Sequence, residues 1–182
     1  MASQTANPDQ DLRYPVGRYA PLKEITAANR TEWLRELEEL PANLKRAVAG
    51  LNDSQLDTPY RPGGWTVRQV VHHLPDSHLN SYSRFRFALT EDAPAIKPYN
   101  EAAWAELADA KTAPIEVSLS LLTALHERWI TLLRSLSETD LKRTMRHPEW
   151  GEINLDWMLG LYAWHSRHHV AHITSLRERE GW

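Results

Sequence analysis

The stretch LDWMLGLYAWHSRHHVAHITSLRERE, residues 155–180, combines a helical pattern with a high density of histidines. Its apolar residues recur three and four positions apart, which predicts one long helix. The histidines of this stretch are His165, His168, His169 and His172. Because helical residues four apart lie about 40° apart around the axis, His165 and His169 can reach a common point.

Three further stretches carry the same helical spacing of apolar residues. We predict helices over residues 25–49, 65–89 and 114–136. Strand patterns are scarce, and residues 137–153 are predicted to be a polar connection. The sequence therefore predicts an all-α protein, an up-down four-helix bundle. Residues 1–12 are expected to be a disordered tail, and residues 13–182 a single domain.

The chain also contains an internal repeat, which predicts a two-fold pseudo-symmetry. Residues 51–56 (LNDSQL) are echoed by residues 136–141 (LSETDL), and each segment is followed by a loop and a helix. In those helices a tryptophan is followed eight residues later by His73 in one half and by His165 in the other. Two related helix pairs that face each other would direct both histidines toward a common centre.

We predict that His73, His165 and His169 bind one divalent metal ion. Imidazole is the commonest metal ligand in proteins near neutral pH. Three neutral ligands from two rigid helices leave at least one coordination position for water or substrate, which is typical of catalytic sites. Zinc and nickel both suit imidazole ligands. Such an ion would lower the pKa of a bound nucleophile, which indicates an enzyme that acts on a small electrophilic molecule.

Other histidines leave alternatives open. His168 and His172 form a second pair four residues apart, which points about 60° away from the first pair. We expect that His168, which adjoins the charged Arg167, does not bind the metal, and that His172 orients a ligand histidine. His72 and His78 are weaker ligand candidates, because His72 points about 100° away from His73 and His78 lies beyond Pro75. His126 and His147 are lone histidines, and we expect them to be structural.

Polar residues follow the first of the candidate ligands at helical spacing. Asp76 is the candidate general base, because a carboxylate beside an activated water can accept its proton. Asn80 and Arg84 are candidate substrate-binding residues, and Gln69 is a candidate partner that orients a ligand. A solvated polar stripe is the alternative interpretation for Asp76 and Arg84. The stretch HPEWG, residues 147–151, is expected to close over the site.

Composition excludes several classes of protein. The chain has 182 residues, a formal net charge of −3 and no basic block, which gives no reason to expect a nucleic acid or an anionic membrane as partner. It has no cysteine, which excludes disulfides, thiolate zinc sites and a cysteine nucleophile. The polar N-terminus and the lack of a long apolar run indicate neither a signal peptide nor a membrane span, so we expect a cytoplasmic protein.

Two stretches resemble the signatures of a known family. Residues 53–74 (DSQLDTPYRPGGWTVRQVVHHL) and residues 161–172 (LYAWHSRHHVAH) resemble those of the DinB-like superfamily, specifically its YfiT branch. The likeness extends from about residue 14 to residue 182, so it covers nearly the whole chain. Pro75 departs from the small helix-forming residue that is usual at its position.

The resemblance implies an up-down four-helix bundle, usually a homodimer, with one divalent metal ion per subunit held by three histidines. Carried over residue by residue, these ligands fall on His73, His165 and His169. The YfiT branch is assigned to metal-dependent hydrolases that use zinc or nickel. Relatives in the wider superfamily are thiol S-transferases, in which the metal activates a low-molecular-weight thiol such as bacillithiol, in detoxification. A non-catalytic metal-binding module is an alternative of another class.

Overall fold

Four long helices form the body of the protein in a computed structural model, which describes residues 11–182. In chain order the elements are α1 (Ala27–Val48), α2 (Asp53–Leu56), α3 (Val67–Thr90), α4 (Glu101–Ala105), α5 (Ala108–Thr112), α6 (Ile115–Arg134), α7 (Glu138–Leu141), β1 (Thr144–His147), β2 (Gly151–Asn154) and α8 (Leu155–Glu180). The disordered tail was predicted over residues 1–12, and residues 1–10 of it lie outside the described residues. No helix in the described part of the chain is long and apolar enough to cross a membrane.

Local chemistry explains where the long helices begin. Thr26 caps α1 and Thr66 caps α3, each within a capping box that satisfies backbone N–H groups at the helix start. The side chain of Asn154 caps α8 by accepting a hydrogen bond from the Trp157 N–H at 2.9 Å. Because these signals are local, all four predicted long helices agree with the structure to within two residues at each end.

Helix α1 runs parallel to α8. Near the beginning of both helices, Arg30 Nε donates to Asp156 Oδ1 at 2.7 Å, and near their ends Arg177 donates to the carbonyl of Ala47 at 2.8 Å. Only consecutive long helices that are parallel need a connection that crosses the bundle, and α1 and α8 are the first and the last of the four.

Helix α3 runs parallel to α6 by the same test. His72 contacts Ser118 near the beginning of both helices, and His78 contacts His126 further along. Helices α1 and α3 each pack against both α6 and α8, so they lie diagonally across the bundle. The four-helix bundle is confirmed. The chain does not simply alternate up and down, because the long connection of residues 91–114 lets α6 begin at the same end as α3.

The two parallel pairs agree with the internal repeat. Exchanging the half α1–α3 with the half α6–α8 converts the pair α1/α8 into the pair α6/α3. In each half the short helix begins with a capping box, at Asn52 for α2 and at Ser137 for α7. These equivalent positions support the predicted two-fold pseudo-symmetry.

A β-hairpin replaces the irregular connection that we expected over residues 137–153. Strands β1 and β2 pair in antiparallel register, with Met145 opposite Ile153. Both side chains are buried in the core, and Gly151 begins the second strand with a φ of 71°, which favours glycine. The all-α prediction therefore missed one short hairpin, whose four-residue strands are too brief to show a clear alternation.

A layer of histidines separates two apolar clusters in the bundle. Along α3 the buried members of one cluster end at Leu74, and those of the other begin at Tyr82. Along α8 the buried members of the clusters end at Tyr162 and resume at Ile173. The histidines of α8 and His78 lie between these limits, and His72 and His73 lie directly before Leu74, so the candidate site occupies the middle of the bundle.

Candidate metal centre

Three histidines meet in the middle of the bundle. His73 of α3 and His165 and His169 of α8 each place a ring nitrogen within 4.8 Å of the others. The Nε2 atoms of His73 and His165 are 3.3 Å apart. Two nitrogen ligands of a tetrahedral ion, each about 2.05 Å from the metal, would lie roughly 3.3 Å apart. The donor set therefore fits one divalent cation that prefers imidazole.

Burial keeps these three rings neutral at pH 7. It lowers the pKa of His73 to about 4, and it lowers the pKa values of His165 and His169 well below the ordinary value. The neighbouring histidines lower each pKa further. Because only neutral imidazole can bind a metal, the rings are already in the form that ligation requires.

A chain of hydrogen bonds runs from His165 into the core. His165 Nδ1 lies 3.2 Å from His78 Nε2, and His78 Nδ1 lies 3.0 Å from His126 Nε2. The chain ends where His126 Nδ1 meets the backbone carbonyl of Leu37 at 2.7 Å. Three histidines from three helices are thus connected in one line.

The carbonyl at the end of this line sets the position of every proton along it. A carbonyl can only accept, so His126 carries its proton on Nδ1 and offers a bare Nε2 to the Nδ1–H of His78. Since burial lowers the pKa values of His78 and His126, each ring carries one proton. His78 in turn accepts the Nδ1–H of His165. The lone pair of His165 therefore lies on Nε2, the nitrogen that faces His73.

The carbonyl of Leu37 is available because of a proline in α1. Pro41 lies inside that helix, four residues after Leu37. In a regular helix the N–H of residue 41 would donate to this carbonyl, but proline has no N–H. His126 supplies the missing donor. Sequence spacing made His78 a weak ligand candidate and gave His126 a structural role, and Pro41 was the one signal that could have singled out this carbonyl.

A second group of histidines adjoins the first. Its members His168, His169 and His172 also offer nitrogens within 4.8 Å of one another. All three have a buried Nδ1 atom without a hydrogen-bond partner among the described residues. His168 is buried although it adjoins the charged Arg167, because Trp164 stacks on its ring at 4.4 Å and helps to bury it. His169 therefore belongs geometrically to both groups.

The two residues predicted to orient the ligands make their hydrogen bonds elsewhere. Gln69 belongs to the capping box of α3, and its Nε2 donates to the carbonyl of Ala105 at 2.7 Å. His172 donates through Nε2 to the carbonyl of Arg13 at 3.1 Å, and its ring stacks on Tyr60 at 3.9 Å. Gln69 is engaged at the start of α3 and His172 is engaged by the backbone of Arg13, so in the described structure His78 is the residue that orients a ligand.

A cavity of about 570 Å³ opens onto the three histidines. The helices contribute Ser77, Arg84 and Tyr162 to its wall, and the hairpin contributes His147 and Trp150. A cavity of this size accommodates a small molecule. The hairpin turn thus lies where the sequence expectation placed the HPEWG stretch, at the mouth of the site.

Asp76 does not line this cavity, so its prediction as general base is wrong. It lies three residues after His73 and therefore about 60° around the helix. Burial and the charge of Asp109 raise the pKa of Asp76 to about 6. The carboxylates that line the cavity belong to Glu101 and Glu149. They come from connections between the long helices, where helical spacing from a histidine gives no signal.

Asn80 and Arg84, the predicted substrate-binding residues, have different positions. Asn80 lines a neighbouring cavity, and its Nδ2 donates to the carbonyl of Asp76 at 2.9 Å. Arg84 lines both cavities. The structure therefore brings Arg84 to the cavity of the histidines and leaves Asn80 beside it.

Two hydroxyl groups lie next to the histidines. Ser77 Oγ is 3.4 Å from His165 Nε2 and 3.3 Å from the hydroxyl of Tyr162. The Tyr162 hydroxyl also lies 3.2 Å from the carbonyl of Ser77, to which it can donate. Burial raises the pKa of Tyr162, so its hydroxyl keeps its proton at neutral pH. The site thus combines lone pairs on imidazole nitrogens with neutral hydroxyl donors.

Comparison with known sequences identifies close relatives of this chain. The model of the DinB superfamily matches residues 36–173. A protein of Bacillus mycoides is 57% identical over 173 residues, which cover 95% of this chain and 99% of that protein. YfiT of Bacillus subtilis is 57% identical over 173 residues, which cover 94% of this chain and 97% of YfiT. Both relatives are provisionally named metal-dependent hydrolases.

Solved structures show the same architecture. YfiT from Bacillus subtilis, described as a four-helix bundle of unusual topology, matches with a TM-score of 0.92 and 56% identity over 95% of this chain and 99% of that one. The four-helix bundle protein TT2238 matches with a TM-score of 0.55 and 20% identity over 84% of this chain and 99% of that one. The second likeness concerns the fold alone.

Proposed function

This chain belongs to the DinB superfamily, in its YfiT-like branch, and on that basis we propose that it is a metal-dependent hydrolase of small molecules. One observation carries the proposal, namely that the Nε2 atoms of His73 and His165 face each other at 3.3 Å at the base of a cavity. The hydrogen bonds that link His165, His78 and His126 to the Leu37 carbonyl leave a lone pair on His165 Nε2, so this nitrogen is ready to bind a cation.

In this proposal His73, His165 and His169 hold one divalent ion. When bound, such an ion supplies Lewis acidity and lowers the pKa of water. The residues of the chain supply the remaining functions. His78 and His126 orient His165 through the hydrogen bonds that link the three rings, as partners of metal-bound histidines do in other proteins.

The cavity wall supplies groups that can bind substrate and carry protons. The hydroxyls of Ser77 and Tyr162 lie where they can donate hydrogen bonds to a substrate oxygen beside His165. We propose Glu101 and Glu149, rather than Asp76, as the groups that accept the proton of an attacking water, because they line the cavity.

Four further features belong to the proposal. The ion is zinc or nickel, because both prefer imidazole nitrogen to oxygen ligands. The protein is proposed to act in the cytoplasm, and to form a homodimer. Its proposed partner is a small molecule, since the cavity of about 570 Å³ matches a ligand of that size.

The test uses the full chain prepared without a histidine tag and loaded with zinc or nickel. We expect hydrolysis of some members of a panel of small esters and amides, loss of activity after metal removal and its return after reloading. His165→Ala should be inactive, whereas Arg86→Gln, on the exposed side of α3, should stay active. Absence of metal binding by the wild type would contradict the proposal.

The same assay separates hydrolysis from thiol transfer. Because the chain has no cysteine, any reacting thiol must come from a second substrate. Turnover that occurs only when a low-molecular-weight thiol is added would establish a thiol S-transferase and overturn the hydrolase proposal. Stoichiometric metal with no turnover in either assay would instead indicate a non-catalytic binding module.

A further inference from the structure

The protein contains one buried positive charge that lacks a partner in the described structure. Its buried charged side chains are Arg68, Arg84 and Asp156. Arg68 pairs with Asp53 and Asp57. Asp156 pairs with Arg30 and Lys142.

Arg84 differs from both. Its exposed fraction is 6%, yet among residues 11–182 no carboxylate oxygen lies within 4.0 Å of its guanidinium and no acceptor receives a hydrogen bond from it. The side chain is buried as a whole, but its guanidinium nitrogens are not fully enclosed, so they face the open space of the cavity rather than the packed core. Because the side chain lines the cavity above the histidines, a ligand in that cavity can supply the missing partner.

The position of Arg84 relative to the histidines is set by helix geometry. Arg84 follows His73 by eleven residues, close to three full turns, so both project from the same side of α3 about 16 Å apart along the axis. Helical side chains lean toward the N-terminus of the helix. The guanidinium therefore leans back toward His73, and Ser77 lies between them on the same face.

The surroundings of Arg84 are polar and close to the proposed reaction centre. Burial lowers the pKa of His147, and the charge of Arg84 lowers it further. The same charge opposes the rise that burial causes in the pKa of Tyr162. Arg84 thus lies near the hairpin on one side and near Tyr162 on the other, at the far end of the cavity from His169. The cavity also has Glu101 and Glu149 in its wall, but neither is within pairing distance of this guanidinium.

We propose that Arg84 binds an oxyanion, a carboxylate or a phosphate, on the substrate. The inference rests on the proposed hydrolase in one respect, namely that the substrate's reacting group lies at the three histidines. The guanidinium offers a planar fork of N–H donors that matches two oxygens of a carboxylate or phosphate. The substrate is therefore an anionic small molecule, with its charged group several bonds away from the bond that is cleaved.

Anion binding to metal-free protein tests this proposal without reference to catalysis. The probes are glutarate and inorganic phosphate, titrated at constant ionic strength into wild type, Arg84→Met, Arg84→Lys and the control Arg86→Met. The control removes an exposed arginine two residues away on α3, which contacts Tyr82 outside the cavity. Binding is measured by calorimetry, and the stronger probe identifies the type of oxyanion.

We expect saturable binding of at least one probe to wild type and Arg86→Met, with about tenfold to hundredfold weaker binding to Arg84→Met, because a hydrogen-bonded charge is lost. Arg84→Lys should lie between them, because lysine keeps the charge but not the fork. Equal binding by wild type and Arg84→Met, or no binding of either probe to wild type, would overturn the proposal.

Two further measurements separate this inference from a structural role and from the function itself. The melting temperature of Arg84→Met should equal or exceed that of wild type, since the guanidinium makes no ion pair or hydrogen bond with residues 11–182 that the change could remove. A clear drop relative to Arg86→Met would show a structural role and overturn the proposal. If metal-loaded protein hydrolyses no ester while Arg84→Met loses anion binding, the hydrolase proposal fails and the anion site stands. If esters are hydrolysed and anion binding is unchanged in Arg84→Met, the reverse holds.

Discussion

His165 and His169 lie on successive turns of α8 and face the same point, but their surroundings differ. His165 donates its Nδ1–H to His78, which is connected through His126 to a backbone carbonyl. The Nδ1 atom of His169 is buried without a hydrogen-bond partner among the described residues. Its neighbours on that side are the rings of His168 and His172.

This difference shows how one helix can provide one ligand of fixed orientation and one that remains adaptable. The proton of His165 is placed by groups deep in the core, so its lone pair is directed before any metal arrives. His169 has no such constraint and can serve either of two histidine groups. We therefore expect changes on the His165 side to weaken metal binding more than matching changes on the His169 side.

The largest effect is expected for His165→Ala. This change removes a proposed ligand and breaks the line of hydrogen bonds from His165 through His78 to His126, so the protein should lose its bound metal and its hydrolytic activity. The apolar clusters on both sides stay intact, so most of the helical circular dichroism should remain. Metal analysis checks the result against His147→Ala, which removes a histidine of the hairpin. Stoichiometric metal in His165→Ala would contradict the ligand assignment.

The next largest effect is expected for His78→Leu. Loss of the partner that orients a metal-bound histidine typically weakens metal affinity about 10- to 100-fold. The matched change on the other side, His172→Leu, should weaken it less, because His172 donates to the carbonyl of Arg13 instead. Metal titration of both variants gives the comparison, and equal losses would show that the two sides do not differ.

Nitrogen NMR of the metal-free wild type tests the predicted proton positions, because it distinguishes a proton on Nδ1 from a proton on Nε2. We expect His165 to carry its proton on Nδ1. A proton on Nε2 would contradict the order derived from the Leu37 carbonyl.

A smaller effect is expected for Pro41→Ala. The new N–H can donate to the Leu37 carbonyl and compete with His126, so metal affinity should fall by only a few-fold. The melting temperature should rise, since proline inside a helix costs about 3 kcal/mol relative to alanine. Metal titration and thermal unfolding measure the two effects. An unchanged metal affinity together with a higher melting temperature would mean that Pro41 does not influence the hydrogen bond between His126 and the Leu37 carbonyl.

The smallest effect concerns pH and the metal-free protein. Burial lowers the pKa of His126 to about 4, whereas the unfolded chain titrates near 6.5. The unfolded state therefore binds more protons between these values, and stability that is complete above pH 6.5 is lost as the pH falls toward 4. One such group contributes about 1.4 kcal/mol per pH unit.

His126→Gln should make this pH dependence shallower by the contribution of that one group. Asp76, whose pKa is raised to about 6, acts in the opposite direction below that pH and is present in both proteins. Thermal unfolding of both proteins between pH 7 and pH 5 provides the measurement. Identical pH dependence would show that His126 is not held neutral by the fold.

The sequence predicted the parts of the molecule that local signals determine. Capping residues such as Thr66 and Asn154 mark where helices begin, and the repeat singled out His73 and His165 for one centre. The structure brings these two rings and His169 together. Spacing along α8 predicts the pair His165 and His169, and the repeat adds His73 from α3, since each ligand lies on a regular helix.

Other features depend on relations between distant segments, which spacing along one helix cannot express. The parallel pairing of α3 with α6 follows from how residues 91–114 cross the bundle. The role of His126 depends on a carbonyl that Pro41 leaves free in another helix. Asp76 was misassigned because a turn of 60° from His73 directs it to Asp109 rather than to the cavity.

We propose that the ion binds to the group containing His73 rather than to the group containing His168. The metal content of His73→Ala and His168→Ala, both purified without a tag and dialysed against the same zinc or nickel solution, distinguishes the two groups. We expect His73→Ala to retain no bound metal and His168→Ala to retain the wild-type amount. Metal kept by His73→Ala and lost from His168→Ala would place the ion in the other group.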